Sequence, residues 1–213
     1  MYIFNIIILM KIFPKIIPIF PLSGVIYFPK TNLPLNIFED RYLNLVKEAY
    51  DKDKLMGMVQ SKKDDGVYKI GCLGKISDYQ KSKDGRILIN LTGITRFEIL
   101  NEIKNNKLYR EFNVNYEKFE EDTSDIFYEA KTDSLMEKAK IFFKRSGLLL
   151  NWREFDKLDR SQKINTLAMI APVTNEEKQK LLEAITLIDK VTTLENIISF
   201  YLHEVNFNNQ TIQ

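Results

Sequence analysis

Residues 16–42, IIPIFPLSGVIYFPKTNLPLNIFEDRY, constrain the fold more than any other stretch. Pro18, Pro21, Pro29 and Pro34 interrupt a dense apolar run. Each lacks a backbone N–H and restricts the residue before it, so the run cannot be a helix. It must fold as short extended pieces joined by turns, with Ser23-Gly24 and Pro29-Lys30-Thr31-Asn32 as the turn candidates. Leu33, Leu35 and Ile37 alternate with Pro34, Asn36 and Phe38, which predicts a strand with one apolar face. Pro34 marks it as an edge strand or a bulge. Glu39-Asp40 then opens a helix, because acidic residues suit its positive end. Tyr42, Leu43, Leu45, Val46, Ala49 and Tyr50 form its apolar stripe.

Further strands are expected at Leu55–Val59, at Tyr68–Tyr79 with irregularities at Gly71 and Gly74, and at Arg86–Leu91 after an Asp84-Gly85 hairpin. Thr92-Gly93 reads as a break before a strand over Thr95–Ile103, and Leu108–Phe119 as the last β segment. Strands at this spacing favour a small barrel over an open sheet. FEEDTS, 119–124, marks the change to helical periodicity. Tyr128, Thr132, Leu135, Ala139 and Phe142 share one helix face, and Gly147 is a candidate C-cap. Trp152 and Phe155 fall in a connecting stretch. Ile164, Leu167, Ala168 and Ala171 form a stripe stopped by Pro172. Thr174 with Glu177 is a capping-box signature. Leu194, Ile197, Ile198, Tyr201, Leu202 and Val205 define the last helix. The expected organisation is a barrel subdomain with one helix over 1–118, a helical bundle over 119–205 and a flexible tail over 206–213.

Composition narrows the function classes. The 213 residues suffice for a sizeable core, and the net charge of +2 is spread among interspersed signs, unlike a concentrated nucleic-acid-binding surface. One cysteine, Cys72, excludes an internal disulfide, and with one histidine, His203, leaves no ligand set for structural zinc. No metal or cofactor is expected, and a reducing, cytoplasmic setting is the simplest reading. Residues 1–9 are apolar but too few to cross a membrane as a helix, and lack the flanks of a signal peptide. They read as an extra N-terminal strand or a misassigned start, with Met10 as the alternative.

The run I-P-x-F-P-L-x-G-V followed by L-P-L-x-I-F-E-x-R-Y resembles the opening of the N-terminal substrate-binding domain of Lon proteases. Gly71-Cys72-Leu73-Gly74-Lys75-Ile76 resembles that family's G-x-x-G-x-I strand, and Gly93-Ile94-Thr95-Arg96-Phe97 its G-x-x-R-F strand. The resemblance covers roughly residues 16–205. It implies an α+β fold, a PUA-like β pseudo-barrel followed by a C-terminal helical bundle. It also implies a free-standing, non-catalytic module that binds unfolded or tagged polypeptides, or a protease or chaperone partner, as an adaptor or chaperone-like factor. The sequence contains no G-x-x-x-x-G-K-[ST] loop for a triphosphate.

Within the family-like motifs, Phe38, Glu39, Asp40, Arg41 and Tyr42 are the candidate polypeptide-binding residues. The structural alternative for Glu39, Arg41 and Arg96 is that arginine ties strands together through carboxylate or carbonyl bonds. Trp152, Tyr128, Phe142, Phe143 and Phe155 are either a groove lining or core. A second function class is RNA binding, by analogy with PUA-like barrels, through Lys62, Lys63, Lys69, Lys75, Lys81, Lys83 and Arg86. The interleaved Asp64, Asp65, Asp78 and Asp84 oppose it. Catalysis has the weakest support. Cys72 lies in an apolar β segment, and His203 is expected in the last helical turn, where a cation suits the dipole.

Overall fold

Proline spacing acts as expected: residues 16–42 form two strands and the start of a helix. The structure, a computed structural model, describes residues 13–123 and 132–210, with the backbone alone beyond His203. The apolar stretch 1–9 and Tyr128, to which the sequence assigns roles, lie outside the described residues. The elements are β1 (Ile16–Leu22), β2 (Asn32–Ile37), α1 (Asp40–Asp51), β3 (Leu55–Gln60), β4 (Ile70–Lys81), β5 (Ile87–Ile103) and β6 (Arg110–Asn115). A 3-10 segment (Glu117–Thr123) leads to α2 (Asp133–Arg145), α3 (Trp152–Phe155), α4 (Arg160–Ile170), α5 (Asn175–Glu183) and α6 (Leu187–Gln210).

The six strands form one mixed sheet in the order β2-β5-β4-β3-β1-β6, and β6 also pairs with β5. That extra pairing closes β5, β4, β3, β1 and β6 into a barrel and leaves β2 outside it, attached to β5 alone. β1 runs parallel to β3, with Ile19 opposite Gly57; every other pairing is antiparallel. Parallel neighbours need a crossover, and the β2–α1 excursion provides it. Ile17, Ile19, Leu73, Phe97 and Phe112 belong to one buried cluster of the barrel. The apolar stripe of α1 packs with Phe20, Met56, Ile76 and Ile87.

The break expected at Thr92-Gly93 does not occur; β5 runs unbroken through it for 17 residues. Gly93 serves a close approach instead. Its N–H donates to the Thr31 carbonyl at 2.9 Å and its carbonyl accepts from Lys30 N at 2.9 Å. A side chain there would overlap the Phe28 carbonyl. The irregularity expected at Gly74 is present as a register shift between Leu73 and Gly74. Asp84-Gly85 makes the expected hairpin, closed by Ser82 N–H to Arg86 O at 2.8 Å.

In the helical half, Thr174 and Glu177 form the reciprocal capping box read from the sequence. A second box, Asp159 with Gln162, starts α4. α2 ends where Gly147 adopts φ +71° and Leu148 N–H reaches back to Phe143 O at 3.0 Å. That left-handed turn is favourable for glycine because no Cβ opposes it. Leu135, Phe142, Phe143, Phe155, Ile164 and Leu194 form a core that also takes in Ile26, Phe28 and Ile70 from the β half. α6 extends to Gln210, into the stretch read as a tail. His203 therefore stands well inside α6 rather than in its last turn, because extending a formed helix costs little once it is nucleated.

Candidate functional site

β2 and the first turn of α1 place residues 38–42. The Thr31 carbonyl accepts from Gly93, so the odd residues of β2 turn their backbone groups toward β5. Asn32, Pro34 and Asn36 then point theirs to the open side. Pro34 stands in the middle of that edge, where its missing N–H breaks no sheet bond. Leu33 and Ile37 are buried while Asn32, Pro34 and Asn36 are exposed. The same alternation carries Phe38 outward, and its side chain is 64% exposed. Leu88, opposite Asn36, is exposed too.

Glu39 is the N-cap of α1 by backbone: its carbonyl accepts from Tyr42 N and Leu43 N, both at 2.9 Å. Its carboxylate caps nothing, being held by Arg41 through Nε at 3.0 Å and a terminal nitrogen at 2.8 Å. The Arg41 guanidinium also lies over the Tyr42 ring, 4.5 Å from its centre. Asp40 is exposed, and its carbonyl accepts from Asn44 Nδ2 at 2.7 Å. Tyr42 turns inward against Phe20, their ring centres 4.3 Å apart. Burial raises the Tyr42 pKa and the adjacent Arg41 partly opposes it. Phe38, Glu39, Asp40 and Arg41 thus share one solvent-facing corner, with Tyr42 as the floor beneath Arg41.

Arg96 has the structural role. It is buried, and its Nε and a terminal nitrogen donate to the two Asp122 oxygens, both at 2.8 Å. It also donates to the carbonyls of Leu182, Ala184 and Ile185, and lies over the Phe119 ring. Arginine's planar fork suits this many fixed acceptors. Arg41 instead pairs locally on the surface, a difference that motif position alone does not reveal.

The remaining sequence candidates separate clearly. Phe142, Phe143 and Phe155 are core, whereas Trp152 is half-buried at the edge of a surface cleft. Cys72 is buried, and burial pushes its thiol pKa far up, leaving the thiol protonated and unsuited to attack. Among the described residues no group of three or more His, Cys, Asp or Glu side chains could hold a metal ion. Lys62, Lys63 and Lys69 precede β4, Lys75 lies within it, and Lys81, Lys83 and Arg86 lie at and beyond its far end. Arg86 is also paired with Asp84 at 2.6 Å. Among the described residues no helix is long and apolar enough to cross a membrane.

Comparison with known proteins identifies the family. The chain is 28% identical over 211 residues to the Lon protease of Syntrophus aciditrophicus, a match covering 90% of this chain and 26% of that protein. It is 23% identical over 195 residues to the Lon protease of Bacillus thuringiensis (strain Al Hakam), covering 86% and 24%. The chain thus spans about a quarter of the length of these relatives. Among solved structures, the Lon N-terminal domain protein from Xanthomonas campestris superposes with a TM-score of 0.63 at 21% identity, covering 87% of this chain and 98% of that one. The N-terminal domain of the Mycobacterium avium complex Lon protease gives 0.64 at 17% identity, with the same coverage. Both structures share the fold. The family model for the ATP-dependent protease La (LON) substrate-binding domain matches residues 16–199, and the chain belongs to that family.

Proposed function

We propose that the protein binds unfolded or tagged polypeptide segments without catalysing their cleavage, and works as an adaptor or chaperone-like factor in proteolysis. The exposed Phe38 beside the open β2 edge carries this reading, and family membership supports it. An apolar side chain of the client packs on Phe38 while its extended backbone adds to β2. The paired charges of Glu39 and Arg41, with Asp40 beside them, orient polar groups of the same segment. Tyr42 acts through Arg41. A single buried thiol suits a reducing, cytoplasmic compartment.

Fluorescence anisotropy with a labelled, permanently unfolded polypeptide tests the proposal. Saturable binding with shallow salt dependence is expected, and Phe38→Ala and Arg41→Ala should each weaken it about threefold to tenfold without lowering the melting temperature. A matching loss of stability in both variants, or unchanged binding, would overturn the assignment of this corner. A labelled RNA hairpin in the same salt series checks the competing class, since phosphate-driven binding collapses steeply with salt.

A further inference from the structure

We propose a second peptide-docking site, separate from residues 38–42, in the cleft between the end of α2 and α3, and infer that its occupant is a short segment combining aliphatic and acidic side chains. The cleft has a volume of about 590 Å³ and is lined by Lys140, Lys144, Leu148, Leu149, Leu150 and Trp152, with Gly147 at the turn. Leu149 is fully exposed at 102%, and Leu148 is 40% exposed. Consecutive leucines held open to water are an unusual use of apolar surface in a loop, where solvent-facing positions are ordinarily polar.

The site is built rather than loose. Gly147 at φ +71° reverses the chain, and the Leu148 N–H bond to Phe143 O fixes the first leucine. Trp152 is held edge-on by Phe143 and Phe155, with ring centres 6.1 and 5.4 Å away. Asn151 caps the short helix that carries it. Lys140 and Lys144 are one helical turn apart on α2, so both flank the same opening. Lys140 Nζ lies 5.6 Å from the centre of the Trp152 ring. Among the described residues neither lysine forms an ion pair, and no carboxylate lines the cleft.

An apolar floor with two unpaired cations on one rim selects its ligand by charge complementarity. Aliphatic side chains cover Leu148–Leu150 and the Trp152 face, and carboxylates three to four residues apart, or on alternate residues of an extended segment, meet the lysines. A basic segment would bring like charges together at the same rim.

Trp152 is the only tryptophan of the chain, so its emission reports directly on the cleft. The experiment titrates the full chain with three capped hexapeptides: alternating Leu and Glu, alternating Leu and Lys, and all Glu. A saturable shift in tryptophan emission with the Leu/Glu peptide alone is expected. A Lys140→Glu, Lys144→Glu double variant should weaken that binding about tenfold and improve binding of the Leu/Lys peptide. Both positions are on the helix surface, and a thermal melt by circular dichroism verifies that the variant folds. Equal response to the Leu/Lys peptide, equal response to the all-Glu peptide, or no response to any of the three overturns the proposal. Because this signal comes from Trp152, its failure leaves the reading of residues 38–42 standing, and the converse also holds.

Discussion

Lys190 shows how far a single side chain departs from what its identity suggests. It is buried, donates from Nζ to Asn165 Oδ1 at 2.7 Å, and lies over the Phe28 ring. Asn165 in turn donates to the Pro29 carbonyl at 2.9 Å, so the pair ties α6 and α4 to the proline turn. Burial, reinforced by the nearby Arg96, lowers the Lys190 pKa to about 7, while Asp122 pulls it back up. The unfolded chain holds that proton to about pH 10.4. Above pH 7 the unfolded state therefore binds more protons, and stability rises with pH by on the order of 1 kcal/mol per unit. It is lost again as pH falls back through 7. Thermal melts of wild type should climb between about pH 7 and 8.5, and Lys190→Met should flatten that climb. Above that window the raised Cys72 pKa works in the opposite direction, because the unfolded thiol ionises first. The stripe read for the last helix begins at Leu194 and leaves Lys190 unassigned. Its burial depends on Asn165 and Phe28, which are remote in sequence, and no local signal announces them.

At the scale of elements, local chemistry is largely legible. Pro34 is read from the sequence as marking an edge or a bulge, and β2 is an edge strand. Thr174 with Glu177 is read as a capping box and forms one. The same rule applied to Asp159 and Gln162 would have found the start of α4. Thr186 and Asp189 exchange the same reciprocal bonds at the start of α6. The miss at Thr92-Gly93 has a different cause: glycine in a strand permits either a turn or a close neighbour, and only the Phe28–Thr31 backbone decides between them. The edge itself yields a prediction. Pro34→Thr restores an outward N–H at the centre of an open strand, which should promote edge-to-edge pairing. Light scattering coupled to gel filtration should then show concentration-dependent self-association absent from wild type, with melting little changed at low concentration.

At the scale of the whole molecule, Arg96 joins the β and helical halves. From the middle of β5 it binds Asp122 in the 3-10 segment and three carbonyls at the end of α5 and beyond it. Breaking a buried pair leaves the other charge unpaired, at a cost of about 3–5 kcal/mol. Arg96→Met should therefore lower the midpoint of urea unfolding strongly, and Asp122→Asn less, since the carbonyl contacts of Arg96 survive. Two well-separated transitions in Arg96→Met would show that the halves fold independently without this joint. The sequence by itself determined the β-then-α order, the extended character of residues 16–37, an edge or bulge at Pro34 and several helix ends. Those properties arise from proline geometry, side-chain periodicity and capping, which act over a few residues. Only the tertiary structure decided that β1 lies parallel to β3, that β6 closes on β5 and that Arg96 is buried while Arg41 is exposed. It also decided that, among the described residues, the Trp152 cleft carries two lysines and no carboxylate. Each of these depends on contacts between distant parts of the chain, as with Arg96 and Leu182, 86 residues apart, whose desolvation and pairing no local pattern encodes.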